Sequence, residues 1–380
     1  ISIDSRSESI NEETLFVALK GNNTDGHQFM AQAYEKGCRV FLSKEPNSDL
    51  NGAVFLVVDN VVEALQNLAK FHREILNIPV VGITGSHGKT TVKEWLYQLL
   101  QDKFNIARSP KSYNSQIGVP LSILSIQSNH DLAIIEAGIS QPGEMEKLER
   151  MIQPTVGVFT GIGNAHGENF TSTEAKQEEK NKLVKNAQKV ISVNDKSEKT
   201  ITLPFSDEAS IQNGNLACRV AQHFGLNEPE LSVKAKDLKS LALRLELSEG
   251  KRGNIVINDS YNSDENGLEI ALDFLKQKSE SKKTLVVSAF NSDHAEKLKR
   301  SFKINDWITI GSSEDEKSAL EKIKSTENTA ILIKGTQNNF FQNISKELQK
   351  TNHATSLEID LSAIENNYQV FKKRLKPTTK

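Results

Sequence analysis

The sequence predicts an α/β protein assembled from several parallel-sheet units, and three observations carry that prediction. Short apolar runs of strand length alternate with longer segments of helical character along most of the chain. Several of these runs end in small or polar residues. Ile78–Ile83 opens into a glycine loop, Leu132–Ile135 into Glu136-Ala137-Gly138, and Val156–Thr160 into Gly161-Ile162-Gly163-Asn164-Ala165-His166. In open parallel sheets that carboxyl edge is where ligands bind. Finally, VVGITGSHGKTTVKEWL (Val80–Leu96) runs from an apolar strand through a glycine-bracketed loop into a helix.

With 380 residues there is room for two or three domains, each with its own core. A formal charge of -2, from 47 basic and 49 acidic side chains, favours neither nucleic acid nor a membrane surface. Cys38 and Cys218 lie far apart, which suits a reducing compartment rather than a disulfide framework. Apolar runs such as Ala53–Val58 are too short to span a bilayer, and the histidines show no H-x-x-x-H spacing. The expectation is a soluble cytoplasmic protein with no nucleic-acid partner and no membrane insertion. The first residue is Ile1 rather than Met, which leaves room for a removed leader or tag.

Residues 1–77 read as a small α/β unit. Strands at Leu15–Leu19, Arg39–Leu42 and Val54–Val58 alternate with helices at Gln28–Lys36 and Val62–Ile75, and the insert GNNTDGH is a loop. Asn77-Ile78-Pro79 marks a boundary, because proline pushes the preceding residue towards extended backbone. The second unit, 78–240, holds the strands with the polar ends. Its charge-rich stretch Glu174–Lys189 predicts a solvated helix, with Glu178 and Lys182 at i,i+4 spacing. The third, 241–350, has strands at Asn254–Ile257, Thr284–Ser288, Trp307–Ile310 and Ala330–Ile333, with helices at Leu268–Lys276 and Ser318–Lys324: another βαβ arrangement. Residues 351–380 stand apart. Leu357–Leu361 reads as a strand, Ser362 and Glu365 as a capping box, and Ile364, Tyr368, Phe371 and Leu375 as an apolar helical stripe. A lone strand and helix cannot bury that stripe, so this segment looks like the opening of a further domain.

The glycine loop supplies what polyphosphate binding needs. Backbone N–H groups and the helix dipole favour anions, Lys89 adds a point charge, and a threonine hydroxyl can ligate magnesium. Its spacing misses the G-x-x-x-x-G-K-[ST] template by one residue, since position 83 is Ile83 and the glycines are Gly82 and Gly85. His87 reads as a loop residue whose backbone matters. Taken singly, the other polar residues stay ambiguous. Glu136 suits a magnesium ligand or a loop salt bridge, His166 a surface histidine, and Lys180 a solvated charge. Asp259-Ser260-Tyr261-Asn262 suits a polar turn, and Lys334-Gly335-Thr336 an anion contact or a simple turn.

Together these pieces resemble the Mur ligase family of peptidoglycan synthesis over nearly the whole of 1–350. That resemblance implies a three-domain architecture with a central P-loop parallel-sheet ATPase domain and a Rossmann-like C-terminal domain. The family's phosphate loop has the short form T-G-S-x-G-K-T-T, as in Thr84–Thr91, so the off-by-one spacing is a family trait. IDSR (Ile3–Arg6), LFVALKG (Leu15–Gly21) and DGH (Asp25–His27) are similar to its uridine-nucleotide domain, which implies Ser5, Arg6, Asp25 and His27 as substrate-binding residues. NDSYN (Asn258–Asn262) and SYNSQIGVPLSIL (Ser112–Leu124) are most similar to the members that add D-alanyl-D-alanine to UDP-N-acetylmuramoyl-tripeptide, and Asn114 lies in the second motif.

The resemblance implies roles residue by residue. Gly85, Ser86, Gly88, Lys89, Thr90 and Thr91 would bind the ATP phosphates, and Asn213, Arg244, Asp259 and Asn262 the nucleotide. Thr90, Glu136, His166 and Lys180 would form the Mg2+ site. Lys180 falls where the family carries a carbamylated lysine, with Lys176 as the alternative if the helix register differs. Lys334 lies where the third domain closes on the substrates. The catalytic set is then Lys89, Glu136, His166 and Lys180, working through an acyl phosphate.

Leu357–Lys380 resembles the start of an alanine racemase of the pyridoxal-phosphate barrel type, implying a fused racemase domain in a parent chain but no pyridoxal-phosphate site here. The chain departs from the family in a short segment between Lys180 and Asn213. It also differs at Ala209-Ser210, Asp264, Ala289–Asp293 and Gln337. Competing readings are the ligase that adds the third amino acid, a non-ligase P-loop NTPase, and a pseudoenzyme.

Overall fold

The computed structural model describes residues 1–21, 24–161, 169–195, 201–205, 207–239, 245–260, 268–279, 282–290, 292–311, 313–335 and 339–350. His166, Arg244, Asn262 and the racemase-like tail lie outside them. The chain divides into two compact units, Ile1–Glu246 with Asp264–Phe274, and Leu247–Ser263 with Leu275–Lys380.

The first unit contains two parallel sheets. The smaller has the order β1 (Leu15–Val17), β2 (Val40–Ser43), β3 (Val54–Val57), with helices α1 (Met30–Glu35) and α2 (Val61–Ile75). Asn60 caps α2 by accepting from the Glu63 amide. The buried face of α2 then carries Leu65, Ala69 and Arg73. The Arg73 guanidinium donates to the carbonyls of Ile152, Gln153 and Leu76 at 2.9–3.0 Å, tying this helix to the larger sheet's helical layer.

The larger sheet comprises β4 (Val80–Thr84), β5 (Ile106–Arg108), β6 (Leu132–Glu136), β7 (Val156–Phe159) and β8 (Lys189–Ser192), in the order β5-β6-β4-β7-β8. Every pairing is parallel. Helices α3 (Lys89–Leu100), α4 (Gly118–Leu124), α5 (Glu144–Ile152), α6 (Thr173–Asn181), α7 (Glu208–His223) and α8 (Glu228–Lys236) accompany it. Alternate strand residues serve opposite faces. Val81, Ile83, Ile134 and Val158 pack with Trp95, Leu96, Leu99, Leu216 and Val220. Val80, Ala133 and Ile135 pack with Val119, Ile123, Leu148 and Ile152. The chain winds from β4 outward to β5 and β6 on one side, then to β7 and β8 on the other. The carboxyl end of β4 is therefore a topological switch point, the usual place for a ligand crevice.

The solvated helix predicted over Glu174–Lys189 is corrected. The helix ends at Asn181, a 3-10 turn covers Lys182–Val184, and Lys189 opens a strand. Lys176, Glu179 and Lys180 are buried. Glu179 accepts from the amides of Gly143 (2.9 Å) and Met145 (3.1 Å), filling the N-terminus of α5, and pairs with Lys182 at 2.6 Å in place of the expected Glu178. The first-turn amides of a helix have no intrahelical acceptors, and a carboxylate supplies one.

The second unit carries a sheet in the order β12 (Asp306–Thr309), β11 (Lys283–Ser288), β13 (Thr329–Lys334), β10 (Ile255–Asp259), β9 (Glu246–Glu249). The pairs β12–β11, β11–β13 and β13–β10 are parallel. Helix α9 (Leu268–Ser279) is divided between the two units at Phe274, while α10 (Asp293–Ser301), α11 (Ser313–Lys324) and α12 (Asn339–Leu348) accompany this sheet. Its core joins Val256, Val287, Ile331 and Ile333 with Ile323, Phe341 and Ile344. The α/β expectation holds in all three sheets. No helix of the described residues is long and apolar enough to cross a membrane. Cys38 and Cys218 are both buried free thiols, and burial pushes the Cys218 thiol up to about 12.

Candidate functional site

At the switch point, the loop between β4 and α3 folds tightly against the end of β7. The Ser86 amide donates to the Gly161 carbonyl at 2.8 Å, and the Thr160 hydroxyl donates to the carbonyls of Thr84 and His87. His87 thus contributes backbone, as expected. Gly85 (φ 145°) and Gly88 (φ 77°) occupy backbone that disfavours side chains. A Cβ on Gly85 would stand 2.1 Å from the Thr160 hydroxyl, and one on Gly88 2.2 Å from Oδ1 of Asn213 on α7. Asn213 is therefore placed beside the loop. Gly85→Ala is expected to cost about 1–3 kcal/mol of stability, measurable by urea unfolding, because neither φ nor space admits the methyl group.

Two charged groups converge on this loop. Lys89, the first residue of α3, donates to the carbonyls of Gly85 (3.1 Å) and Ser86 (3.2 Å). Lys180, 2% exposed on α6, donates to the same Gly85 carbonyl at 2.9 Å. Residues 95 apart in sequence are thereby brought together. The Ser86 and Thr84 hydroxyls are buried with no hydrogen-bond partner. A phosphate oxygen in the loop would give the Ser86 hydroxyl an acceptor. Thr91 lies half-buried on the next position of α3.

Beside the start of α3, Glu136 ends β6 and is 1% exposed. Its Oε2 accepts from the Thr90 hydroxyl at 2.8 Å and its Oε1 from the Asn114 amide at 2.7 Å. Its backbone amide donates to the Ser109 hydroxyl at 3.1 Å. Thr90 and Glu136 thus present hard oxygen donors beside a phosphate-type loop, which fits Mg2+. Among the described residues no group of three or more His, Cys, Asp or Glu side chains could hold a metal. Magnesium held by one or two protein oxygens plus nucleotide phosphates requires no such cage.

Sequence reasoning missed Lys93. Its side chain is wholly buried, and its ammonium donates to the carbonyls of Ser109 (2.8 Å) and Lys111. It lies 3.2 Å from Glu94 Oε1 and 3.9 Å from Glu136 Oε2. Burial pushes its pKa down, against the pull of Glu136 and Glu94. The available signal was a lysine wedged between Val92 and the Trp95-Leu96 pair, where an apolar helix face would otherwise continue.

The expected uridine-site residues form two groups. Ser5 is buried and donates to Gln32 at 2.7 Å, whereas Arg6, with an 83% exposed side chain, forks onto Asp4. The Arg6 guanidinium holds the Asp4 carboxyl down at about 2. Asp25 accepts from the backbone amide of His27 (3.0 Å) and contacts its ring Nδ1 (2.6 Å), and these contacts, the amide first, lower its pKa. The Lys44 amide, just beyond β2, donates to His27 Nε2 at 3.1 Å. Nδ1 therefore carries the proton towards Asp25, and the pair is fixed near the carboxyl ends of β1 and β2. In the second unit, Lys334 and Asp259 end neighbouring strands in register and form a buried ion pair at 2.8 Å.

Two family models cover the first 243 residues: "Mur ligase family, catalytic domain" matches 1–82 and "Mur ligase middle domain" matches 83–243. The chain belongs to the Mur ligase family. More particularly, it is 28% identical over 317 residues to the UDP-N-acetylmuramoyl-tripeptide–D-alanyl-D-alanine ligase of Bacillus subtilis, covering 72% of this chain and 69% of that one. It is 36% identical over 226 residues to the same-named protein of Borreliella burgdorferi, covering 57% of this chain and about half (48%) of that relative. In structure it is similar to MurF from Acinetobacter baumannii, with a TM-score of 0.75, 21% identity and 91% and 92% of the two chains covered. MurF ligase from Thermotoga maritima in complex with ADP gives 0.71, 21%, and 91% and 96%. At those identities the structural likeness speaks to the fold.

Proposed function

We propose that this chain is an ATP-dependent ligase that joins D-alanyl-D-alanine to UDP-N-acetylmuramoyl-tripeptide in peptidoglycan precursor synthesis. The observation that carries the reading is the convergence of Lys89 and Lys180 on the Gly85 carbonyl, with the Thr90–Glu136–Asn114 cluster starting at the residue after Lys89. The named relatives add the substrate class.

In this reading a tripeptide carboxylate oxygen attacks the γ-phosphorus of ATP. The bond from that phosphorus to the bridging oxygen breaks, and ADP departs. The amine of D-alanyl-D-alanine then attacks the acyl carbon, loses a proton and expels inorganic phosphate. Lys89 and the loop amides hold the phosphates and offset charge on the transferring group. Thr90 and Glu136, with His166, would hold Mg2+, which when bound neutralises phosphate charge. Lys180, as a carbamate, would exchange a cation for an anion facing the metal site. Asn213, Arg244, Asp259 and Asn262 would contact the nucleotide. Ser5, Arg6, Asp25 and His27 would contact the uridine substrate, and Asn114 and Lys334 the peptide side.

Residues 1–77, 78–240 and 241–350 serve as uridine-substrate, P-loop ATPase and Rossmann-like domains in this account. The likeness of Leu357–Lys380 to an alanine racemase is a separate part of it, and a parent reading frame ending at Lys380 would sink that part. The test of the main reading is phosphate release from ATP with UDP-muramoyl-tripeptide, with and without D-alanyl-D-alanine. Release that depends on both substrates supports the ligase; release indifferent to them contradicts it.

A further inference from the structure

Lys93 belongs to none of the roles above, yet its ammonium is the most deeply buried cation near the site. Burying a lysine is costly, and an apolar side chain of similar length would fill the same space without that cost. Apart from its helix neighbour Glu94 (3.2 Å), the groups that Lys93 holds lead to Glu136. It donates to the carbonyl of Ser109, whose hydroxyl accepts from the Glu136 amide. It donates to the carbonyl of Lys111, a non-glycine residue at φ 49°. It also lies 3.9 Å from the Glu136 carboxylate itself. Lys111 sits in left-handed backbone that a side chain disfavours, so something must hold that turn. Beyond the turn, the chain delivers Ser112 to within 3.4 Å of the Thr90 hydroxyl and Asn114 to Glu136 Oε1.

We propose that Lys93 is a positioning residue that clips segment 109–114 around Glu136, setting the carboxylate and Asn114 for the metal–nucleotide complex. The inference rests on the ligase reading only in supposing that a metal–nucleotide binds here. Groups that orient first ligands in this way are worth about 10–100-fold in metal affinity. The test uses Mn2+, visible by electron paramagnetic resonance, with a non-hydrolysable ATP analogue on the full chain. Lys93→Met is expected to weaken Mn2+ retention by about tenfold, while the metal-free analogue binds as it does to the unaltered chain.

Mn2+ retention equal in both proteins would overturn the proposal and leave Lys93 a structural residue. If the unaltered chain bound neither Mn2+ nor the analogue, the ligase reading itself would fall and take the proposal with it. Should Lys93→Met not fold, hydrogen exchange in the unaltered chain decides. Slower exchange of amides 109–114 with Mn2+ and analogue than with analogue alone supports the clip, and equal exchange overturns it.

Discussion

Lys180→Ala is expected to lower ATP turnover by about 10²–10³-fold, and added formate or acetate to restore part of it. Lys180 is buried on α6 and reaches the Gly85 carbonyl that Lys89 also uses. Two ammonium groups on one acceptor repel each other in a low-dielectric setting. Conversion of one to a carbamate reverses its sign and lets it face both Lys89 and a metal. The alanine variant would leave a space in which a short carboxylate can supply the missing anion. Lys180→Arg separates the alternatives. If the side chain acts as a cation, arginine retains activity and carboxylates do nothing. If it acts as an anion, arginine is as inactive as alanine. Steady-state phosphate release, with and without the acids, reads all of these outcomes.

Glu136→Gln should cost about 10²–10³-fold in kcat while leaving metal-free nucleotide binding nearly unchanged. Glutamine keeps the shape and one carbonyl acceptor. It removes the charge that faces Lys93 and that would face Mg2+, and it offers the Asn114 amide or the Thr90 hydroxyl an NH2 group in place of an acceptor. A buried donor deprived of its acceptor costs about 1–3 kcal/mol, so urea unfolding should register a loss of that order. Single-turnover phosphate transfer beside calorimetric nucleotide binding separates the chemical effect from a general loosening. An equal loss in both would make Glu136 a structural residue.

Much of the site was legible because its chemistry is written in backbone requirements. Gly85 and Gly88 must be glycine where φ is positive and neighbours crowd, and a strand-to-helix turn carrying Lys89 and Thr90 has few other uses. Glu136 was legible as a polar residue ending an apolar strand. Lys180 and Asn213 needed the family resemblance, since a lysine in EEKNK carries no local sign of burial.

Lys93 and Glu179 were missed because their partners lie far along the chain. Glu179 fills a helix end 34–36 residues away, and no periodicity encodes that. The short outer strands β5 and β8 were missed for another reason. Ile106–Arg108 is only three residues long, and Lys189–Ser192 alternates weakly. Helix α8 could have been read, because Asn227 and Glu230 form a full capping box.

The central claim is that the terminal phosphate of ATP passes to a peptide carboxylate before the amide forms. Oxygen-18 in the terminal carboxylate of the UDP-muramoyl-tripeptide tests it directly, with unlabelled ATP and D-alanyl-D-alanine. Attack by that carboxylate leaves one labelled oxygen in each inorganic phosphate released and removes one from each peptide joined. Unlabelled phosphate released alongside the amide product, with the lost oxygen recovered in AMP or water, or phosphate released with no amide product, would contradict the account.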